Sequence, residues 1–203
     1  MTPAVLWIPF VAYWLIAARQ TRETRERATG ASDPVRGALH FAGAVLIFLP
    51  PALGPLDDRF VPALIEVAIA GWVLTVLGML FAIWARVSLG RNWSGHVVLK
   101  HGQELISTGA YAMVRHPIYT GLLVALAGTA LYDGQWRGLL GFACFALAFW
   151  LKARSEEDLL EREFGDGYRA YRARTPMLIP RLRSKPASRT ALCRPFQSPA
   201  RPL

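Results

Sequence analysis

The stretch that decides how this chain folds is Ser107-Thr108-Gly109-Ala110-Tyr111-Ala112-Met113-Val114-Arg115-His116-Pro117-Ile118-Tyr119. Two basic side chains, Arg115 and His116, stand directly before a proline. The proline ring clashes with an α-conformer at the residue before it, so His116 is expected to be extended. Pro117 itself suits the first turn of a helix, where its missing N–H removes no bond. An apolar run from Ile118 to Leu131 follows. Arg115 and His116 therefore stand at the mouth of an apolar helix, where polar groups meet an apolar wall.

The rest of the chain repeats that apolar theme. Of its 203 residues 53% are hydrophobic, and they fall in blocks. The length suits one domain, and the blocks argue for a polytopic membrane protein rather than a soluble core. The expected fold is all-α, with about five transmembrane helices over residues 3–18, 37–53, 63–84, 117–132 and 137–151 of a domain covering 1–183. The first block lacks the basic leader and cleavage site of a signal peptide. Arg19, Arg22, Arg25 and Arg27 follow it, which by the positive-inside bias makes that loop cytoplasmic and the N-terminus external. Pro50-Pro51 end the second block. Glu66, near the outer end of the third, reads as a solvated interfacial acid.

Charge is unevenly placed. Through Asp166 there are 14 basic and 14 acidic residues, and from Gly167 onward 9 basic and none acidic. The whole net charge of +9 thus sits in the C-terminal part. Beside membrane spans, the tail at 184–203 is expected to be disordered and to face anionic lipid headgroups rather than nucleic acid. Cys144 and Cys193 fit no metal spacing, and no metal site is expected.

Two further features concern chemistry. The polar, glycine-punctuated segment 86–116 is too long for a plain hairpin and is expected to be ordered and functional. The fourth and fifth apolar runs, joined at Asp133-Gly134-Gln135-Trp136, form an antiparallel hairpin. The helical pattern of the fifth run continues through Lys152, Glu156 and Leu160 to a stop at Gly165. One end of the hairpin therefore carries both Arg115-His116 and Glu156-Glu157, because two runs crossing the same thickness bring their ends together.

These residues carry a family resemblance. Arg115-His116-Pro117-x-Tyr119, the later Glu156-Glu157 with Phe164-Gly165-x-x-Tyr168-x-x-Tyr171, and the upstream Leu89-Gly90-Arg91-Asn92-Trp93-Ser94 resemble the isoprenylcysteine carboxyl methyltransferases and the related membrane phospholipid methyltransferases. The resemblance is dense from about Arg86 to Leu182. It implies S-adenosyl-L-methionine as cofactor, in a cytoplasmic pocket made by the last hairpin and the loop before it. By the same resemblance the cofactor contacts fall on Gln103, Glu104, Leu105, Ile106, Tyr111, His116, Pro117, Ile118, Tyr119 and Glu156, with His96 alongside. Arg115 and His116 would position the reactants. The family usually has an arginine at Lys152, assigned to the acceptor carboxylate. Lysine keeps that charge and loses the bidentate fork. Arg154 is the possible substitute, two positions away on the helix.

Other residues read more plainly. Arg115 could brace Glu156 or Glu157. Glu157, Asp158 and Glu161 read as a solvated helix face, with Asp158–Arg162 as an i,i+4 pair. Tyr168 and Tyr171 are expected to pack against the membrane surface, and Trp93 to sit at the interface. The expected activity is methyl transfer to a lipophilic acceptor that enters from the bilayer, through carboxyl O-methylation of an isoprenylcysteine-like acid. The alternatives are phospholipid N-methylation, an NADPH-dependent sterol-type reductase that shares the Arg-His-Pro-x-Tyr string, and a non-catalytic lipid-binding protein. A carboxylate acceptor is ionised at neutral pH and needs no general base, whereas an amine must first lose a proton.

Overall fold

Close approach between two helices shapes the centre of the molecule. In the computed structural model, which describes residues 2–18, 24–27, 34–50, 54–90, 98–100 and 105–181, helix α3 (Ile65–Leu89) packs along α5 (Pro117–Asp133). The contact needs glycine. A Cβ on Gly121 would lie 2.6 Å from the backbone nitrogen of Ala82, and one on Gly71 would lie 2.8 Å from the carbonyl of Gly128. Small residues at such spacing let helix backbones touch.

Three other long elements surround this pair. Helix α1 (Trp7–Ala18) follows a 3-10 turn at Pro3–Leu6, and α2 (Pro34–Phe48) packs on α6 (Trp136–Phe164). Gly43 and Gly141 face each other across that second contact, where a Cβ on Gly141 would meet Ile47 at 2.7 Å. A buried polar trio ties α1 into the bundle. The Trp7 indole donates to Thr129 at 3.1 Å, Thr129 donates to the Ala125 carbonyl at 3.0 Å, and Thr75 donates to the Gly71 carbonyl at 2.8 Å. Each hydroxyl is thus satisfied within the apolar interior, as burial demands.

Contacts at the two ends establish an alternating course. At one end the buried Arg137 guanidinium donates to the carbonyls of Leu46, in the last turn of α2, at 3.0 Å and of Leu49, just past it, at 2.7 Å, and sits 3.1 Å from Asp57. Gly134, with φ +63°, closes α5 there in the left-handed region and lets α6 turn back. The opposite end collects the end of α1, the start of α2 and the end of α3. Arg86 donates to the Ala17 carbonyl at 2.8 Å and the Gly90 carbonyl at 2.7 Å, and Arg36 donates to Ser155 at 3.4 Å. Two short strands also meet, β1 (Thr24–Arg27) pairing antiparallel with β2 (Val98–Lys100). The sequence pattern alone assigns both segments to loop. The end is completed by the short helices α4 (Ala110–Met113) and α7 (Asp166–Arg174).

The five expected apolar blocks all form helices, and the architecture is all-α apart from that small ribbon. Of these, α3 with 25 residues and α6 with 29 are long and apolar enough to cross a bilayer. The others are shorter: 12 residues in α1, 15 in α2 and 17 in α5. Large apolar side chains such as Ile8, Phe41, Ile69 and Leu77 are exposed on the outer faces. Helix α3 runs past the expected end at residue 84, to Leu89, before Gly90 stops it. Glu66 is exposed in its first turn. The basic tail at 184–203, Trp93 and residues 51–53 lie outside the described residues.

Candidate cofactor and acceptor site

Pro117 opens α5 at its first position, and His116 before it has φ −123° and ψ 62°, outside the helical region, as the proline requires. Helix α6 does not stop at the end of its apolar part. It continues past Leu151, carrying Lys152, Glu156 and Glu157 back to the start of α5. Gly165, with φ +51°, ends it and turns the chain into α7. Residues 175–178 then return as a strap beneath Arg115. The Arg115 amide donates to the Pro176 carbonyl at 2.8 Å and the His116 amide to the Met177 carbonyl at 3.1 Å. The Thr120 hydroxyl donates to the Leu178 carbonyl at 2.7 Å, and the Arg115 guanidinium donates to the carbonyls of Thr175 and Arg172.

The centre of the site is one histidine between two carboxylates. His116 Nδ1 lies 3.4 Å from Glu156 Oε2, and Nε2 lies 3.1 Å from Glu157 Oε1. With both ring nitrogens facing carboxylates, the imidazolium satisfies both partners. Burial disfavours that charge, but the bonds to Glu156 and Glu157 outweigh it and raise the His116 pKa above its ordinary 6.5. Burial likewise works against both carboxylates. The His116 and Arg115 hydrogen bonds overcome it at Glu157, whose pKa falls to about 2, and His116, Lys152 and Tyr119 hold Glu156 below its usual range. The Tyr119 hydroxyl donates to Glu156 Oε1 at 2.6 Å. Its ring stacks on His116 at 5.5 Å and on Phe149 at 5.1 Å, and the Lys152 ammonium lies 5.4 Å from the ring centre.

The structure brings together Arg115, His116, Tyr119, Lys152 and Glu156 from the sequence reading. Pro117 and Ile118 are buried beside them, with Ile118 in the main apolar cluster alongside Tyr119, Phe149 and Ala153. Tyr111 is buried in α4, where its carbonyl accepts from the Tyr171 hydroxyl at 2.6 Å. Leu105 and Ile106 lead into that turn, half-buried. His96, Gln103 and Glu104 lie outside the described residues. Arg154 is not brought in. It is exposed, with its guanidinium 5.1 Å from the Trp150 ring, because two positions along a helix turn it away from Lys152.

Three readings are corrected. Glu157 is no solvated residue: its side chain is 2% exposed and bonded to Arg115 and His116, since the partners at 115 and 116 come from another helix. Tyr168 and Tyr171 do not lie on an outer surface; both are buried, Tyr171 reaching the Tyr111 carbonyl of α4, because Gly165 folds α7 back onto the site. Arg162 donates to the backbone carbonyl of Asp158 at 3.2 Å, while Glu161 takes Arg169 at 2.8 Å and Arg172 at 3.0 Å.

Sequence reasoning missed the strap, which has no side-chain signature, and it missed Arg36. That residue stands at the end of the basic stretch that follows the first apolar block. Its place one helical turn before His40, at the start of an apolar run, was the available signal.

The donor set suits S-adenosyl-L-methionine. Glu156, with 21% of its side chain exposed, is the open carboxylate of the cluster and can accept from an ammonium or from ribose hydroxyls.

Fold and site together define a bundle of apolar helices that gathers a Glu–His–Glu–Arg cluster at the open end of a hairpin. The phospholipid methyltransferase family model matches residues 67–167, which include α3, α5 and α6 through the Glu pair. The chain belongs to this methyltransferase family, which its motifs tie by resemblance to the isoprenylcysteine carboxyl methyltransferases. It is 34% identical over 107 residues to a protein-S-isoprenylcysteine O-methyltransferase of Schizosaccharomyces pombe, covering 51% of this chain and 45% of that one. It is 31% identical over 141 residues to methanethiol S-methyltransferase 1 of Bradyrhizobium diazoefficiens, covering 67% and 48%. It is 33% identical over 140 residues to the nickel-cobalt-cadmium resistance protein NccN of Alcaligenes xylosoxydans xylosoxydans, covering 68% and 60%. The chain thus spans about half the length of these curated relatives.

Proposed function

We infer that this protein transfers a methyl group from S-adenosyl-L-methionine to a lipophilic acceptor held in the bilayer, and that the acceptor atom is a carboxylate oxygen. The observation that carries the reading is His116 held between Glu156 and Glu157 beside Tyr119 and Lys152. When bound, the donor supplies a methyl already activated on a sulfonium. The protein's work is then to hold the reactants in line and keep water out, and most of the rate gain comes from proximity.

Each residue has a role in that work. Glu156, oriented by the Tyr119 hydroxyl and His116, binds the polar part of the donor. Glu157 and Arg115 lock His116 in place and join α5, α6 and the strap into one wall. Lys152, on the same helical face as Glu156, attracts the acceptor's carboxylate. No base is needed for a carboxylate that is already ionised, which agrees with a site whose histidine is held between two carboxylates. The five apolar helices cross the bilayer, with the site and the basic tail on the cytoplasmic face and the N-terminus opposite. The basic residues at 19–36 and the meeting of β1 with β2 at the site's end support that orientation. The tail would lie on anionic lipid headgroups.

The test is transfer of label from methyl-labelled S-adenosyl-L-methionine by the purified full chain in detergent. Farnesylated N-acetylcysteine, a long-chain thiol and phosphatidylethanolamine serve as acceptors. Label on the acid, released by mild base as methyl esters are, is the expected outcome. Label on the thiol alone would transfer the assignment to S-methylation, and NADPH binding without S-adenosylhomocysteine binding would overturn methyl transfer.

A further inference from the structure

Glu157 uses one of its two carboxylate oxygens in the cluster described above. Oε1 accepts from Arg115 Nε at 2.7 Å and lies 3.1 Å from His116 Nε2. Oε2 is buried and has no hydrogen-bond partner among the described residues. A buried acceptor left without a bond is costly, and more so when it carries charge. The cation that faces this oxygen comes from α7. Arg172 Nε lies 3.8 Å from Oε2, within reach of an ion pair and beyond that of a hydrogen bond. Arg172 also stands outside residues 67–167, which the family model matches.

The same residue meets Arg115 through its backbone. The Arg172 carbonyl accepts from Arg115 Nη1 at 3.2 Å, while Arg172 Nη1 donates to Glu161 Oε2 at 3.0 Å. Arg115, Glu157 and Arg172 therefore close a ring with one member each from the mouth of α5, the extension of α6 and α7. Glu157 stands between two guanidinium groups, and Arg172 between a buried carboxylate and a more open one. A carboxylate gripped at one oxygen is free to swing about its last bond. A positive charge at the other oxygen, in a site largely shielded from water, opposes the swing. Oε1 then stays on His116 Nε2, and the opposite ring nitrogen stays 3.4 Å from Glu156 Oε2.

We propose that Arg172 is a positioning residue of the methyl-transfer site: acting through Glu157, it fixes the orientation in which His116 and Glu156 face the donor. The assignment rests on the methyl-transfer reading above. It gives α7 a part in the site that its sequence, a short polar helix, does not announce. Glu161 serves this arrangement only as the outer anchor of the same guanidinium.

The experiment uses the full chain in detergent and two readouts: S-adenosylhomocysteine affinity by calorimetry, and the ring-nitrogen resonances of His116 in protein labelled with nitrogen-15 histidine, assigned by their loss in His116→Gln. The Arg172 side chain is 42% exposed, so its replacement opens no cavity and the variants should fold. Arg172→Gln should weaken S-adenosylhomocysteine binding about three- to tenfold, as expected for the loss of one coupled charge, and should shift the His116 resonances. Arg172→Lys, which keeps the charge, should recover most of both effects. Glu161→Gln should leave both readouts near wild type, and Arg172→Gln should act as strongly in that background as alone. Equal losses in Arg172→Gln and Arg172→Lys would mean a packing role and overturn the proposal. An Arg172→Gln effect that disappears in the Glu161→Gln background would place the residue's role in the outer pair and overturn it too. Wild-type binding and spectra in Arg172→Gln overturn it while leaving methyl transfer standing. Resonance shifts in a protein that binds no S-adenosylhomocysteine would keep the hold of Arg172 on His116 and remove the methyl-transfer reading.

Discussion

Arg115 and Glu157, 42 positions apart, meet through a 2.7 Å contact between Nε and Oε1, with side chains only 9% and 2% exposed. The pair joins the mouth of α5 to the extension of α6, and the same carboxylate oxygen reaches His116. Removing one member of a buried pair leaves the other charge without compensation, at a cost of about 3–5 kcal/mol. Glu157→Gln should therefore lower stability by about that amount, read as a loss of apparent Tm in detergent. Glu161→Gln, on the more open side of the same helix, should cost much less. Equal, small effects at both positions would return Glu157 to the solvated face that the sequence suggested.

The cluster also sets a pH window. The His116 pKa is raised above 6.5, so its contribution to stability is full below about pH 6.5 and is lost as pH rises through the raised value. Glu157 is depressed from 4.5 to about 2, so its contribution is full above about pH 4.5 and is lost as pH falls toward 2. Apparent Tm should be highest between those limits and decline on the alkaline side. His116→Gln should flatten the alkaline decline and also make the acid one shallower, because the His116 bond is among those that depress Glu157. An alkaline decline that survives in His116→Gln would assign it to another group.

Much of this arrangement was legible in the chain. Pro117 and Gly134 punctuate α5, Gly165 ends α6, and two apolar runs of similar length bring residues 115–116 and 156–157 to one end. The distinction between Glu156 and Glu157 was not legible. Both belong to an acidic run that looks solvated in isolation, and only the neighbours at 115, 116 and 119, set by the helix crossing, separate them. Tyr168 and Tyr171 failed for a related reason. A tyrosine pair on a short polar helix reads the same whether the helix lies on lipid or folds back on protein. The glycines at 71, 78, 121 and 128 recur at a helical interval in both α3 and α5, so the tightest contact had a signal that the reading of spans did not use.

Tyr119 and Glu156 give a more selective test. Tyr119→Phe keeps the ring stacked between His116 and Phe149 and removes only the 2.6 Å bond to Glu156. A hydrogen bond to a charged group contributes about 1.5–3 kcal/mol, so S-adenosylhomocysteine should bind roughly ten- to a hundredfold more weakly by calorimetry. Glu156→Ala should weaken it at least as much, and Lys152→Ala should leave it near the wild-type value while impairing use of the acceptor. Loss of cofactor binding in Lys152→Ala with retention in Glu156→Ala would reverse the two roles.

The helix contact at the centre makes its own prediction. A Cβ at Gly121 would meet the Ala82 backbone nitrogen at 2.6 Å, and backbone cannot move aside as a flexible side chain can. Gly121→Ala should destabilise by about 1–3 kcal/mol or more through overpacking. Gly37, in α2, has nothing within 4 Å of its would-be Cβ, so Gly37→Ala should be neutral or stabilising, as alanine is the better helix former. Similar losses of Tm at the two positions would mean that the α3–α5 approach is looser than described.

The strap separates what the C-terminal part does for the site from what its charge does at a membrane. Pro176, Met177 and Leu178 supply three carbonyls, to the amides of Arg115 and His116 and to the hydroxyl of Thr120, and Met177 and Leu178 pack on the main apolar cluster. A chain ending at Thr175 loses all three bonds and leaves the backbone before Pro117 unsupported. It should bind S-adenosylhomocysteine at least tenfold more weakly. A chain ending at Arg181 keeps every one of these contacts and should bind like the full protein, while its retention on vesicles containing anionic lipid should fall with the basic residues removed. Wild-type affinity in the shorter chain would show that α5 and α6 hold Arg115 and His116 without the strap. Lost affinity in the longer chain would place residues beyond 181 at the site.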